Sequence, residues 1–183
     1  LARVTDQRHH DLGLDRAPGL WGAYAEYLYL DPHTVVHKIS KAVPPEIATR
    51  LRNGETNIAD HFEDATIIFA DVVGFTKITA GMRPFEIVAC LNRLFSEFDR
   101  LADEVGCEKI KTIGDSYMAA VGLPAPRANH ARIAASLALD LVAAAQRLQA
   151  SLPVPFPIRV GVHSGPIMAG VIGTRKFAYD VWG

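Results

Sequence analysis

The sequence lacks several features that would place it in a specialised class of protein. Its two cysteines, Cys90 and Cys107, do not have the C-x-x-C spacing of a metal site, and they predict reduced core thiols rather than a disulfide framework. No uncharged apolar run reaches the ~18 residues of a bilayer span, because Asp140 interrupts "AASLALDLVAAA", so the chain itself is expected to make no membrane contact. The net charge of −1 provides no basic excess for phosphates, which argues against a nucleic-acid partner.

What the sequence does contain is typical of a globular protein with one domain. Hydrophobic residues make up 49% of the 183 and charged residues 21%, which is enough for a core of ordinary size. We expect residues 1–62 to form an N-terminal segment and a helical linker, with one helix capped by Asp31 and a second, short helix from Pro45 to Arg52. Residues 63–183 then form a domain of catalytic size.

The periodicity of this second segment changes between that of a strand and that of a helix. "ATIIFADVV" predicts a buried strand, and "EKIKTIGDSYMAAVGL" predicts a hairpin joined at Gly114 and Asp115. Between them we expect one helix that ends at Gly106. Its core face is predicted from seven apolar residues at helical spacing: Phe85, Val88, Leu91, Phe95, Phe98, Ala102 and Val105.

A second helix and two more strands complete the predicted order. "ANHARIAASLALDLVAAAQRLQA" is amphipathic, and "IRVGVHSGPIMAGVIG" predicts a strand, a turn at 164–166 and another strand. The order β-α-β-β-α-β-β is that of the split βαβ arrangement. The predicted fold class is therefore α+β, a ferredoxin-like βαββαβ domain whose antiparallel sheet is flanked by helices and preceded by a helical linker.

The end of the first predicted strand has the composition of an anion site. Asp71 is followed by "VVGFT", in which Gly74 can adopt unusual backbone angles and Thr76 can cap the next helix. Backbone N–H groups at a helix N-terminus favour a phosphate, although the G-x-x-x-x-G-K-[ST] pattern of a P-loop is absent from the sequence. Because a carboxylate repels a phosphate beside it, Asp71 predicts a divalent cation between the two.

Asp115, at the turn of the predicted hairpin, offers a second carboxylate. The first strand and the hairpin of a βαββ unit are neighbours in one sheet, so Asp71 and Asp115 can lie side by side at its edge. Two carboxylates that close would repel each other without a metal. Aspartate is also a favoured turn residue, so the spacing alone leaves a metal site and a simple turn equally open.

Four motifs in one order give a more specific match than any single motif. "FADVVGFT", "EKIKTIGDSYMAAVGL", "RVGVHSGPIMAGVIG" and "YDVWG" closely resemble the catalytic domains of class III nucleotidyl cyclases, a family of adenylate and guanylate cyclases. The resemblance covers about residues 63 to 183, and "VPPEIATRLRNGE" resembles the helix that precedes this domain in bacterial members. It implies a lyase that cyclises a nucleoside triphosphate in signal transduction.

The resemblance also implies roles for particular residues. Asp71 and Asp115 match the two aspartates that hold two Mg²⁺ or Mn²⁺ ions on the triphosphate. Lys111 and Asp180 match the pair that selects the base, whereas Lys109, predicted on the same strand face as Lys111, does not align with that pair. A main-chain cradle for the phosphates is implied at five consecutive residues: Val72, Val73, Gly74, Phe75 and Thr76.

The chemistry of the base-selecting pair indicates adenine. Adenine presents an acceptor at N1 and a donor at its 6-amino group, which complement a donor-only lysine and an acceptor-only aspartate, whereas guanine presents the reverse. The expected activity is conversion of ATP to 3′,5′-cyclic AMP and pyrophosphate. The family places the metal aspartates and the base-selecting pair on different subunits, and this chain carries both sets, so the resemblance implies a homodimer with shared sites.

The chain stops at "YDVWG", before an Asn and an Arg that the family pattern places next. We expect a fragment of a longer, active, cytoplasmic enzyme, either free in the cytoplasm or as the cytosolic part of a parent with a membrane or sensor region before Leu1. The alternative is a catalytically weak or inactive nucleotide-binding module, because lost electrostatic stabilisation of this kind costs about 10²- to 10³-fold in rate. The presence of both aspartates and of the base-selecting pair favours the enzyme.

Overall fold

The computed structural model describes residues 43–173 and 177–183. The linker helix predicted from Asp31 lies outside the described residues. The second linker helix, α1 (Pro45–Arg52), is confirmed with the predicted bounds. Proline at its first position needs no N–H partner and has the φ of a helix, and Asn53 ends the helix by donating its N–H to carbonyl groups of the last turn.

Eight further elements follow α1, and they confirm the predicted fold class. Among the described residues the five strands form one antiparallel sheet in the order β2-β3-β1-β4-β5, with helices packed against it. In the part of the chain described, no helix combines the length and apolarity needed to cross a membrane. The elements are β1 (Ala59–Val72), α2 (Phe75–Thr79), α3 (Pro84–Val105), β2 (Glu108–Ile113), β3 (Ser116–Val121), α4 (His130–Gln149), β4 (Ile158–Ile172) and β5 (Ala178–Trp182).

The sheet separates two hydrophobic cores, and its central strand β1 contributes side chains to both. On one side Ile68 and Val72 are buried beneath α3 and α4, together with Phe98 and Leu137. On the other side α1 packs through Ile47 against the sheet and covers part of it. The domain boundary predicted at residue 63 falls inside β1, which begins four residues earlier at Ala59. The division into a linker and a catalytic domain stays a prediction.

The region between β1 and β2 differs from the single helix that was predicted. It forms two helices, α2 and α3, with Pro84 at the first position of α3 and Gly106 after its end at φ 65°. Phe85 and Val88 were predicted in the core but are 61% and 66% exposed. The buried residues of α3 repeat every fourth position and are Cys90, Leu94, Phe98 and Ala102, which confirms the prediction for Phe98 and Ala102.

The turn predicted at Ser164–Pro166 is also wrong, because β4 runs without interruption through these residues. Its partner β1 is irregular there, since the register shifts between Phe62 and Ala65. Such a bulge removes the demand for a regular ladder hydrogen bond, which lets a proline lie within a strand. The last strand of the sheet is β5, which pairs with the C-terminal end of β4.

The two phenylalanines of α3 provide a test of this packing. Phe98 is fully buried and packs edge-on against Tyr117, with ring centroids 5.5 Å apart. We expect Phe98→Ala to lower the free energy of unfolding by about 3 to 5 kcal/mol. Phe85→Ala removes the same atoms from an exposed position and should change it by no more than about 0.5 kcal/mol. Urea denaturation measures both, and equal losses would contradict the assigned burial.

Candidate active site

Asp71 lies near the C-terminal end of β1, between side chains of both neighbouring strands. It is directly opposite Ser116 on β3 and Arg159 on β4. Ser116 Oγ donates to Oδ1 at 2.8 Å, and Arg159 donates to Oδ2 through Nε at 3.0 Å and Nη2 at 2.7 Å. The hydrogen bond from Ser116 and the guanidinium of Arg159 hold the pKa of Asp71 below its usual value, although burial opposes them. Asp71 is therefore a carboxylate at neutral pH.

Asp115 occupies the turn that joins β2 to β3. Gly114 precedes it at φ 61°, a value that glycine adopts without strain, and Ser116 follows it in the register position opposite Asp71. The two predicted metal ligands thus lie at the same end of the sheet. Within the described residues no three or more His, Cys, Asp or Glu side chains are grouped to hold a metal. Two carboxylates suit Mg²⁺, which takes its remaining ligands from water and phosphate.

The segment predicted to cradle phosphates connects β1 to α2. Val72 is buried as the last residue of β1, and the N–H of Val73 donates to Pro157 O at 2.8 Å. Gly74 at φ 71° is the N-cap residue, so Thr76 lies inside α2 and does not cap it, contrary to expectation. The N–H groups of Phe75 and Thr76 are in the first turn, where a helix offers no internal acceptor. They are the main-chain donors that this segment can direct at an anion.

Lys111 and Asp180 are in contact although they belong to the two edge strands of the sheet, β2 and β5. Lys111 Nζ donates to Asp180 Oδ2 at 2.5 Å, and Asp180 Oδ1 accepts the N–H of Val181 at 2.9 Å. The lysine side chain is 39% exposed and the aspartate side chain 19%, so the pair is accessible from one side. The structure therefore brings the two predicted base-selecting residues together.

Lys109 and Lys111 have different partners, so the prediction that they share a strand face is wrong. Lys109 Nζ donates to Asp99 of α3 at 2.7 Å and lies 5.3 Å from the ring centroid of Tyr117. The register of β2 against β3 shifts between the two lysines, with Ile110 as the extra residue. A bulge of this kind reverses the alternation of side chains, which directs Lys111 away from α3.

An open cleft of about 640 Å³ lies on a face of the sheet formed by β1, β3, β4 and β5, and residues next to Lys111 and Asp180 line it, although these two do not. Met118, opposite Lys111, and Val181, next to Asp180, both line it. Its other walls include apolar side chains that remain partly exposed: Phe69 at 41%, Val162 at 44% and Trp182 at 44%. The cleft has the apolar walls and nearby polar groups that suit a flat aromatic base.

Ser116 and Arg159 were not predicted as site residues. Both belong to the quoted motifs, as the Ser of "GDS" and the Arg of "RVGVHSG". Only the pairing of β1 with β3 and β4 places them against Asp71, and the sequence contains no local signal for that register.

Ser116 provides a test of the electrostatics at Asp71. Ser116→Ala removes the largest contribution that lowers the pKa of Asp71, so we expect that pKa to rise. A carboxylate with a depressed pKa stabilises the fold above its unfolded pKa of ~3.9 and loses this effect as pH falls through the depressed value. The variant should therefore lose the stabilisation at a higher pH than the wild type.

Carbon NMR of the Asp71 carboxyl group during an acid titration measures this shift. Ser151→Ala is the matched control, because the Ser151 hydroxyl donates only to the carbonyl of Leu148 in the described structure. An Asp71 pKa that is equal in Ser116→Ala and in the wild type would show that the hydrogen bond does not act as described.

Comparison with known proteins gives a consistent set of relatives. Residues 58–183 match the family model described as the adenylate and guanylate cyclase catalytic domain. The chain is 46% identical over 146 residues to an adenylate cyclase of Mycobacterium tuberculosis, which covers 79% of this chain and 33% of that relative. It is 40% identical over 161 residues to guanylate cyclase D of Mus musculus, which covers 86% of this chain and 14% of that relative.

A solved structure extends the similarity to the fold. The catalytic core of a rhodopsin-guanylyl cyclase with converted specificity, in complex with ATPαS, superimposes with a TM-score of 0.65 at 34% identity, covering 68% of each chain. The chain spans about a third or less of the length of the two curated relatives, one an adenylate and the other a guanylate cyclase. Since the family model matches well over half of the residues, this chain belongs to the family of adenylate and guanylate cyclase catalytic domains.

Proposed function

We propose that this domain is an adenylate cyclase, which converts ATP to 3′,5′-cyclic AMP and pyrophosphate at sites shared by two copies of the chain. The observation that carries the proposal is the contact between Lys111 Nζ and Asp180 Oδ2 at 2.5 Å beside an apolar cleft. The mycobacterial relative is an adenylate cyclase and the mouse relative a guanylate cyclase, at 46% and 40% identity, so overall similarity favours neither base decisively. The choice of adenine in this proposal is supported by the residue types of Lys111 and Asp180.

The pair matches adenine because each partner has one hydrogen-bonding role. Lysine only donates and ionised aspartate only accepts, so together they complement the N1 acceptor and the 6-amino donor of adenine. Guanine would place its N1 donor and O6 acceptor against the wrong partners. Polar groups of a site that are left unpaired in this way can discriminate between two substrates by about 10⁴-fold.

The metal half of the site would be held by Asp71 and Asp115. Cyclase catalytic domains generally use divalent metals, and two Mg²⁺ or Mn²⁺ ions bound here would supply the Lewis acidity that lowers the pKa of the ribose 3′-hydroxyl. The protein contributes the ionised state of Asp71, which Ser116 and Arg159 maintain. The N–H groups of Phe75 and Thr76 are available to bind the triphosphate and hold its α-phosphorus in line with the 3′-oxygen.

The homodimer is proposed on the chain's own surface as well as on the family resemblance. The sheet face around the cleft leaves Phe69, Val162 and Trp182 each more than 40% exposed, an apolar surface that a second copy would cover. A two-fold arrangement repeats each half-site twice, so two copies form two equivalent complete sites. In such a dimer Asp71 of one protomer acts on the nucleotide whose base is bound by Lys111 of its partner.

The two lysines of β2 test the selection of the base. Lys111→Gln replaces a group that only donates with an amide that both donates and accepts and carries no charge, so kcat/KM for ATP should fall about 10- to 100-fold and the preference for ATP over GTP should decrease. Lys109→Gln loses the same charge two residues away, where the partners are Asp99 and Tyr117, and should keep the preference. Product formation from ATP and GTP is the measurement. If Lys111→Gln keeps the full preference for ATP, Lys111 does not read the base.

Complementation tests whether the sites are shared. Asp71→Ala should abolish metal-dependent formation of cyclic AMP, and Lys111→Ala should abolish efficient use of ATP. In an equal mixture of the two variants, half of the dimers would be mixed and each would have one intact site, which gives about a quarter of the wild-type activity. The absence of any recovery, in a mixture shown to exchange subunits, would contradict shared sites.

A further inference from the structure

Both carboxylate oxygens of Asp71 already have partners in the structure. Ser116 Oγ donates to Oδ1, and Nε and Nη2 of Arg159 both donate to Oδ2. The Asp71 side chain is 26% exposed, so the approach to these oxygens is narrow. A divalent cation that binds Asp71 must therefore bind a carboxylate that already accepts hydrogen bonds from the guanidinium of Arg159.

Arg159 is held in place by this one contact in the described structure. It projects from β4 directly opposite Asp71, and its side chain is 74% exposed. Other arginines are fixed more firmly: Arg50 binds both Glu55 and Asp60, and Arg100 binds both Glu97 and Glu104. An exposed ion pair contributes little to stability. Arg159 can thus leave Asp71 without unfolding its strand.

We propose that Arg159 pairs with Asp71 when the site is empty and is displaced from Asp71 when a metal–nucleotide complex binds. Binding of the metal ion alone is then disfavoured, whereas binding of the metal ion together with the nucleotide is not. The inference rests on the proposed function, since it takes Asp71 as a metal ligand. A guanidinium and a divalent cation repel each other at one oxygen and must compete for it. A triphosphate offers Arg159 a better, bidentate partner, which draws it away from Asp71. Arg159 is a positioning residue in this scheme.

Binding of Mn²⁺ to the full chain without nucleotide provides the first test. Electron paramagnetic resonance of free Mn²⁺ gives the dissociation constant for the wild type and for Arg159→Ala. We expect Arg159→Ala to bind Mn²⁺ about three- to tenfold more tightly, because the competing cation is gone. Arg147→Ala is the matched control: Arg147 is also exposed, at 63%, and has a single acidic partner, Glu97, at 3.8 Å. It should leave the dissociation constant unchanged.

The Nε–H signal of Arg159 in a nitrogen-correlated NMR spectrum provides a second readout, which does not depend on turnover. The signal is assigned by its loss in Arg159→Lys. In the wild type without nucleotide, the Nε–H proton should exchange slowly with solvent, as a hydrogen-bonded proton does. Asp71→Asn, which keeps the size of the side chain but removes its charge, should weaken that protection, and addition of Mg²⁺ with a non-cyclisable ATP analogue should shift the signal.

The possible outcomes separate the inference from the proposed function. Mn²⁺ binding that is absent from both the wild type and Arg159→Ala, or that Asp71→Asn does not weaken, would overturn the metal site and the inference with it. Binding that depends on Asp71 but is equal or weaker in Arg159→Ala would overturn the inference alone. The inference would also fail if the Arg159 signal were the same in the wild type and in Asp71→Asn. Tighter Mn²⁺ binding in Arg159→Ala, unchanged binding in Arg147→Ala and the nucleotide-dependent shift together support it.

Discussion

The geometry of the candidate site depends above all on the register of β1 between β3 and β4. Ile68, Ala70 and Val72 alternate into the core beneath α3 and α4, and each is no more than 3% exposed. A slip of one residue would turn these side chains outward and force Asp71 into that core, which costs far more than an apolar side chain gains there. The hydrophobic effect therefore fixes where Asp71 points. Its contacts with Ser116 and Arg159 follow from the same register.

A local irregularity sets the second half of the site. Without an extra residue in β2, Lys109 and Lys111 would lie on one face of the sheet, as any residues two apart in a strand do. The bulge at Ile110 breaks this rule, and Ile110 itself is buried with only 5% exposure, which anchors the irregular strand. Lys109 is thereby left to the ion pair with Asp99, and Lys111 reaches Asp180. Burial of one isoleucine thus determines which lysine reaches the candidate base site.

The sequence predicted those parts of the structure that depend on short-range signals. The bounds of α1 follow from prolines and an Asn-Gly end, and the hairpin of β2 and β3 follows from Gly114 between two apolar runs. The errors lie where tertiary packing decides. The apolar side chains of Phe85 and Val88 fit a helical period but face outward, and Ser164–Pro166 has the composition of a turn but lies in a continuous strand. Arg159 was missed because its partner is 88 residues away in the sequence.

The two halves of the candidate site follow one electrostatic pattern. Asp71 is paired with Arg159, and Lys111 with Asp180, so each partly buried charge has a partner of opposite sign on another strand. The more buried member of each pair is the carboxylate, with Asp180 at 19% and Asp71 at 26% exposure, and a cation beside such a carboxylate favours its charged form. Each pair is electrically neutral as a whole. For the adenine selectivity that we propose, discrimination against guanine would therefore come from the direction of the hydrogen bonds, donor at Lys111 and acceptor at Asp180, rather than from net charge.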